Sequence, residues 1–316
     1  MSRRFSSPLH QPLIARCAVR ALYAEVALEP KPGLVSFRDN GSHTDMTAST
    51  FFKSLFALRH YFGHMASAGA MGQSLEFLQA LGLGAEERML RATGGINTHR
   101  GAVFALGLLC AAAGRLAAQG QPFNSDCLRQ TLQSQWGQAL RWRADAASRA
   151  EPLSNGQHAA RSLGLRSAGE EAALGFPTLF EVTLPALQQA LQQGHAQRAA
   201  RVQAFFATMA VLDDTNTAHR GGLAGAAFVK ASARGFLAAG GVDQPDWVPQ
   251  ARAIHAEFVA RRLSPGGSAD VLACACWVQA LEGLPNRANS GPAALAVPVM
   301  RKPALALDLA MVAWHA

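Results

Sequence analysis

Residues 30–46 read Pro-Lys-Pro-Gly-Leu-Val-Ser-Phe-Arg-Asp-Asn-Gly-Ser-His-Thr-Asp-Met. Two prolines and a glycine in the first four positions prevent a regular helix there, because proline lacks the N–H that a helix interior uses. The segment therefore predicts a long, charged loop between helices. Since alternate residues of an extended segment point the same way, we expect His43 and Asp45 to face one side. The alternative is a helix-entry loop in which Asp45 or Thr47 caps the next helix.

Apolar residues recur at helical spacing on both sides of this loop, at residues 13–28 and 51–62. Residues 102–113 are apolar and rich in alanine, which indicates a buried helix rather than a strand. Residues 71–91 predict one or two short helices, broken by Gly82 and Gly84. No alternating strand pattern is present. The sequence therefore predicts an all-α fold, a single large helical domain with Gly-rich polar loops forming its active site.

Length and composition set the broad class. The 316 residues suffice for one large domain, which we place at residues 13–282, with a flexible tail at 1–12 and a wrapping segment at 283–316. Charged residues make up 16% and hydrophobic residues 49% of the chain, and the net charge of +8 favours anionic partners such as nucleotides or phosphorylated cofactors.

The same composition argues against several partners and locations. No Lys/Arg run is interleaved with aromatic residues, so a nucleic acid is not an expected partner. The apolar, uncharged run at residues 101–114 is too short to span a bilayer, so no membrane partner is expected either. The five cysteines match no disulfide framework or zinc site. They indicate a reducing compartment, and we expect a cytoplasmic protein.

Four polar, Gly-rich segments each adjoin an apolar helix, at residues 30–46, 93–101, 213–222 and 264–270. Backbone N–H groups at a helix start, with a cationic side chain beside them, form an anion site. Lys31, Arg100 and Arg220 have the residue types for it. The full set of expected phosphate and substrate ligands is Lys31, Gly33, Asn97, Arg100, Asn216, Arg220, Gly266 and Gly267.

Acidic residues in these segments predict a metal site. Asp45, Asp213, Asp214 and Asp270, if they converge, would hold Mg²⁺ through carboxylate oxygens and so manage a triphosphate. Each also has a structural explanation. Asp270 lies in the first turn of a predicted helix, where the dipole favours an acid, and one of Asp213 and Asp214 is expected to be a cap or solvated.

Two histidines are candidates for proton transfer near neutral pH, His43 and His99. A lone histidine is more often a hydrogen-bonded structural residue than a catalyst. The interpretation therefore depends on the four segments occurring together rather than on either residue alone.

Five blocks of the sequence together resemble the signature of the triphosphoribosyl-dephospho-CoA synthase family. They are Pro-Lys-Pro-Gly-Leu-Val at 30–35, Gly-Ser-His-Thr-Asp-Met at 41–46, Gly-Gly-Ile-Asn-Thr-His-Arg-Gly at 94–101, Asp-Thr-Asn at 214–216 with His-Arg-Gly-Gly at 219–222, and Ser-Pro-Gly-Gly-Ser-Ala-Asp at 264–270. The resemblance covers residues 15 to about 282. It implies an all-helical transferase whose partners are ATP and 3′-dephospho-CoA. We take residues 13–282 as the catalytic domain, and the acidic residues named above lead us to expect Mg²⁺ as cofactor.

The implied reaction joins the triphosphoribosyl group of ATP to a ribose hydroxyl of dephospho-CoA and releases adenine. The product resembles the precursor of the acyl-carrier prosthetic group of malonate decarboxylase or citrate lyase, so an acyl carrier protein modification system lies downstream. The Thr-His-Arg-Gly and His-Arg-Gly-Gly blocks of this sequence favour the malonate system. A homodimer is compatible with this interpretation.

Two positions depart from the family pattern. Family members often carry aspartate where Ser36 stands, and arginine where Gly169 stands, although Arg166 is near. A divergent paralogue with another acceptor therefore stays open.

The residues and the resemblance fit one mechanism. We expect Asp45 with His43 to activate the acceptor hydroxyl and His99 to lie near the leaving base, because an oxocarbenium-like centre needs both a nucleophile and a protonated leaving group. The first alternative is a metal-dependent, all-α nucleotide hydrolase in which water is the nucleophile. The second is a CoA-binding partner of a decarboxylase complex that has no catalytic activity.

Overall fold

The computed structural model describes the backbone of residues 10–147 and 155–284. Those residues contain helices and no strands, which confirms the all-α prediction, and they pack as one large helical domain. The elements are α1 (His10–Val26), α2 (Ala48–Leu58), α3 (Tyr61–Ala70), α4 (Leu75–Thr93), α5 (Arg100–Gln119), α6 (Ser125–Ala147), α7 (Asn155–Leu163), α8 (Ala168–Ala173), a π-helical turn (Thr178–Thr183), α9 (Leu184–Gln192), α10 (Gln197–Val211), α11 (Thr215–Ala238), a 3₁₀ turn (Gly241–Asp243), α12 (Trp247–Ala260) and α13 (Gly266–Glu282).

Helix α5 forms the centre of the core, as the alanine-rich run predicts. It packs most extensively on α3, and α1 and α13 close the core beside it. Glycines at the crossing let the two backbones touch: a Cβ on Gly114 would lie 1.9 Å from the Ala66 carbonyl oxygen, and one on Gly69 would lie 1.9 Å from that of Ala111. By length and composition α5 resembles a membrane span, but most of it is buried inside the protein.

Several predicted boundaries are wrong, each for a local reason. Gly82 and Gly84 do not break a helix: α4 runs through both, since burial of Leu78 and Met89 outweighs a helix cost of about 1 kcal/mol per glycine. The stripe at 51–62 is divided between α2 and α3. Residues 10–12 belong to α1, whose first residue packs its ring against Phe123 at 5.8 Å. Residues 1–9 and 285–316, where we predicted the tail and the wrapping segment, lie outside the described residues.

Two of the four predicted Gly-rich loops are mainly helical N-termini. Helix α11 begins at Thr215 and continues to Ala238, with a kink at Gly222 (φ 61°, ψ −164°). Helix α13 begins at Gly266. These two segments are thus presented by helix starts, which place backbone N–H groups at fixed positions.

Candidate active site

The loop at residues 30–46 is docked on the connection between α12 and α13. The Ser42 hydroxyl donates to the carbonyl oxygens of Leu263 at 2.6 Å and Phe258 at 3.2 Å. Gly33 has a φ of 74°, and a Cβ there would lie 2.3 Å from the Leu263 carbonyl oxygen. Its N–H donates to Nδ1 of His255 at 3.3 Å. Gly33 was predicted to bind phosphate; what the structure shows at this position is a close approach of two backbones, which no larger residue permits.

His43 lies at the centre of this interface. Its Nε2 is 2.8 Å from the Ser264 hydroxyl, and its Nδ1 is 3.0 Å from Nη2 of Arg220. Because Arg220 can only donate, Nδ1 accepts and Nε2 carries the proton. Burial, together with the charge of Arg220, lowers the pKa of His43, while Asp45 opposes the shift from 3.6 Å. His43 and Asp45 thus lie together as predicted.

The N-cap of α2 was predicted to be Asp45 or Thr47, and the structure decides between them. Thr47 occupies the N-cap position, and its N–H donates to the Thr50 hydroxyl at 3.1 Å. Asp45 is exposed and does not cap the helix. Its carboxylate is therefore left beside His43.

Asp214 joins the N-termini of α11 and α13. Its Oδ1 accepts from the N–H groups of Asn216 at 3.1 Å and Thr217 at 3.2 Å, as an N-cap does. Its Oδ2 accepts from the N–H of Ser268 at 2.8 Å and from the hydroxyl of Ser268 at 3.0 Å. Burial raises the pKa of Asp214, against the effect of these donors. A Cβ on Gly267 would lie only 3.2 Å from this carboxylate, so Gly267 keeps the two helix starts close.

Asp270 projects from α13 to the N-terminus of α5. A Cβ added at Gly101 would lie 2.1 Å from its Oδ2, and its carboxylate accepts from the N–H of Ala102. Burial, with the negative charges of Glu25 and Asp214, raises the pKa of Asp270 well above its usual range. Asp270 thus lies at the start of the central helix, within electrostatic range of two further acids, Glu25 and Asp214.

Glu25 is a site residue that the sequence analysis missed. It is buried, and its carboxylate and its carbonyl oxygen both accept from Nζ of Lys31, the latter at 2.9 Å. The predicted phosphate ligand Lys31 is itself only 3% exposed, so two of its three N–H donors are used within the protein. A signal existed in the sequence: Glu25 interrupts the apolar stripe of α1 at a buried position, four residues after Ala21.

His99 occupies the N-cap position of α5 in an apolar surrounding. Its Nδ1 is 2.7 Å from the Ser54 hydroxyl, and its ring meets Phe51 edge-on at 5.0 Å. Burial, with the charge of Lys31, lowers the pKa of His99 to about 3, so the imidazole is neutral at pH 7. Within the described residues, His99 Nε2 and Thr98 Oγ1 are buried without a hydrogen-bond partner. Buried polar atoms are nearly always paired, so these two keep an unused hydrogen-bonding capacity that needs an explanation.

The two arginines expected to bind phosphate make protein contacts. Arg220 Nη1 donates to the carbonyl oxygens of Ser42 at 3.1 Å and Arg262 at 3.4 Å, which holds the loop in place. Arg100 lies farther out, where its Nε donates to Glu86 at 3.0 Å. Asn97, another predicted ligand, uses its side-chain oxygen to accept from the Arg100 N–H at 3.1 Å. The side-chain amide nitrogen of Asn97 takes no part in that hydrogen bond.

The predicted cluster of four aspartates does not form. Asp213 receives hydrogen bonds from Lys230 Nζ at 2.6 Å and from the Arg166 N–H at 3.2 Å. Burial opposes these donors, but they lower the pKa of Asp213. Asp45 lies with His43, which leaves Asp214 and Asp270 as the neighbouring pair. Across residues 10–147 and 155–284, no three His, Cys, Asp or Glu side chains are arranged to hold a metal ion.

The two departures from the family pattern have local explanations. The Ser36 hydroxyl accepts from the N–H groups of Arg38 at 3.2 Å and Asp39 at 3.4 Å, which shapes the turn of the loop. Arg166 donates from Nη1 to Glu171 at 2.9 Å, next to Gly169. It therefore places a guanidinium near the position where the family carries arginine.

Comparison with known proteins identifies the family of this chain. Residues 12–288 match the family model CitG, described as ATP:dephospho-CoA triphosphoribosyl transferase. The chain is similar to a 2-(5''-triphosphoribosyl)-3'-dephosphocoenzyme-A synthase of Klebsiella pneumoniae, with 38% identity over 86% of this chain and 92% of the relative. It is 40% identical to the synthase of the same name from Pectobacterium atrosepticum, over 80% and 84% of the two chains. No solved structure gives a significant match. The chain belongs to the triphosphoribosyl-dephospho-CoA synthase family.

Proposed function

We propose that this protein transfers the 5-triphosphoribosyl group of ATP to the 2′-hydroxyl of 3′-dephospho-CoA and releases adenine. The bond from the anomeric carbon to adenine breaks, and a bond from that carbon to the acceptor oxygen forms. The acceptor loses its hydroxyl proton and adenine gains one, so the reaction balances with no co-reactant. The product is 2′-(5″-triphosphoribosyl)-3′-dephospho-CoA.

One observation carries this proposal beyond family membership. The N-termini of α5, α11 and α13 meet beneath the loop at 30–46, beside the Lys31 ammonium and the carboxylates of Asp214 and Asp270. Helix N-termini favour phosphate groups, and carboxylates stabilise an oxocarbenium-like ribose. The site thus offers both charges that a triphosphoribosyl transfer requires.

We also propose that Mg²⁺ binds at this site, with fewer carboxylates than the cluster of four aspartates predicted from the sequence. Mg²⁺ commonly takes one or two carboxylates and completes its coordination with substrate phosphates and water. Asp270 would be the protein ligand, since each oxygen of Asp214 already accepts two hydrogen bonds from the protein. A divalent cation would also relieve the repulsion between the neighbouring charges of Asp214 and Asp270. Bound there, the ion would neutralise phosphate charge and orient the triphosphate.

The histidines take different roles in this proposal. His43 holds the loop at 30–46 in place through its hydrogen bond with Ser264. The exposed Asp45 carboxylate lies 3.6 Å from His43 and can accept the proton of the acceptor hydroxyl. His99 is neutral at pH 7, so it serves the leaving adenine as a hydrogen-bonding group through its unpartnered Nε2 rather than as an imidazolium acid. Neutral histidine acts this way in other enzymes.

The physiological context also belongs to the proposal. The product would supply the prosthetic group of the malonate decarboxylase acyl carrier protein, with citrate lyase as the alternative. We place the reaction in the cytoplasm, in keeping with five free cysteines.

The deciding experiment measures free adenine by chromatography. The three reactions contain ATP alone, ATP with dephospho-CoA, and ATP with the 2′-deoxy analogue of dephospho-CoA. Adenine release is expected to require dephospho-CoA and to fall to background with the analogue, which lacks the nucleophile. Equal release in all three would mean that water is the acceptor, and the protein would be a nucleotide hydrolase.

A further inference from the structure

A second polar surface lies where α2, α3 and α4 meet, apart from the loop at 30–46. It is a groove of about 570 Å³, within the usual size range of small-molecule sites. Two alanines line it, and every other lining residue is an arginine or a histidine. The lining residues are Ala57, Arg59, His60, His64, Arg88, Arg91 and Ala92.

Within residues 10–147 and 155–284, no acid forms a salt bridge with the arginines of this groove. The Glu86 carboxylate, near in sequence, is bound to Arg100 at 3.0 Å. Arg59 is held by a hydrogen bond from its Nη1 to the Phe56 carbonyl oxygen at 2.5 Å. Among the residues that the structure describes, neither Arg88 nor Arg91 has a hydrogen bond or an ion pair. Their guanidinium groups are therefore free to bind an anion.

Helix stability alone does not explain the arrangement. A cation in the last turn of α4 is favoured by the helix dipole, which accounts for Arg91. It does not account for three arginines and two histidines that come from the α2–α3 turn, α3 and α4 and line one groove. Three like charges at close range repel one another, so a bound anion would relieve an unfavourable interaction.

We propose that this groove binds the phosphate chain of a small molecule that carries three or more linked phosphates. Three guanidinium charges match a triphosphate better than a single phosphate, which one bidentate arginine satisfies. The groove is separate from the active-site residues, although His99 packs on the same helices through Ser54 and Met89. The proposal concerns binding only and does not depend on the transferase reaction.

The test is titration calorimetry with inorganic tripolyphosphate, at constant ionic strength, on four proteins. Arg220→Gln provides a background with a weakened active site, and Arg88→Gln/Arg91→Gln is added to it. Arg16→Gln/Arg20→Gln, two exposed arginines of α1, added to the same background, is the control for net charge. The fourth protein is the unmodified chain. Circular dichroism checks that each variant is folded.

Loss of two charged hydrogen-bond donors should weaken tripolyphosphate binding at least tenfold, while the α1 control stays within twofold of its background. ATP is the second probe, since it offers the same chain on a nucleoside, and it should show the same pattern. Unchanged binding in the groove variant, or equal weakening in the control, would overturn the proposal. So would binding of polyglutamate, but not tripolyphosphate, through Arg88 and Arg91, which would indicate an acidic protein partner.

Discussion

Asp214→Asn tests whether one carboxylate fixes the geometry of the site. In the wild type Oδ1 caps α11 through two N–H groups, and Oδ2 accepts from the N–H and the hydroxyl of Ser268. Asparagine keeps the first oxygen and presents an amide to Ser268. That amide can donate to the hydroxyl but leaves the buried N–H without an acceptor. One unsatisfied buried donor costs about 1–3 kcal/mol, and Asp214→Ala, which also loses the cap, should cost about 2–5 kcal/mol.

The adjacent residue supplies a matched control. Asp213→Asn removes the partly exposed ion pair with Lys230, which is worth about 0–1 kcal/mol, and keeps one oxygen that can accept from the Arg166 N–H. Urea unfolding at pH 7, followed by circular dichroism, gives the free energy of unfolding of each variant. Wild-type stability of Asp214→Asn, or a larger loss in Asp213→Asn, would refute the reasoning.

The pH dependence of the two variants should differ in sign. Burial raises the pKa of Asp214, so its contribution to stability is full below the unfolded pKa of about 3.9 and is lost as pH rises through the folded pKa. The deficit of Asp214→Asn should therefore shrink as pH rises. Lys230 and the Arg166 N–H lower the pKa of Asp213 against burial, so its contribution is present above the unfolded pKa and disappears as pH falls through the folded pKa. Parallel pH profiles would contradict the assigned environments.

Three further predictions concern the active site. Asp270→Asn should raise the Mg²⁺ concentration needed for half-maximal adenine release at least tenfold, whereas Asp45→Asn should lower the rate with little change in that concentration; equal Mg²⁺ dependence in both would exclude Asp270 as a ligand. Arg220→Gln should weaken binding of ATP or dephospho-CoA roughly tenfold in calorimetry, because it loses charged donors and releases the loop, and wild-type affinity for both would disprove the role. Gly101→Ala should abolish adenine release, since its Cβ would lie 2.1 Å from the Asp270 carboxylate, while Gly235→Ala, which has open space, should keep wild-type activity.

Local sequence patterns were enough for the class of fold and for the position of the central helix. The small, apolar residues 102–113 predicted a buried helix that permits close neighbours, and Gly69 and Gly114 show that contact. The prolines and glycine at 30–33 predicted the loop, and alternation placed His43 with Asp45. These features depend on residues near one another in the chain, so composition and spacing report them.

Predictions that required knowledge of burial were less successful. Lys31 has the right residue type for a phosphate ligand, but it is buried against Glu25, whose role had no motif to reveal it. Arg100 resembles Arg220 in its sequence block, yet Arg100 pairs with Glu86 on α4 and Arg220 clamps the loop. A helix propensity calculation also could not show that α4 passes through two glycines, because distant packing stabilises it.

The sequence by itself determined that this is an all-α member of the triphosphoribosyl-dephospho-CoA synthase family, because its blocks are local and retain their order. Only the tertiary structure decided which aspartates meet. Asp214 and Asp270 are 56 residues apart, and they become neighbours because α11, α13 and α5 begin at one place in the core. The pKa of each carboxyl group depends on its burial and on the charges near it. Both are contributed by chain segments that no sequence spacing connects. Electrostatic energy depends on distance and on exclusion of water, and folding alone fixes both.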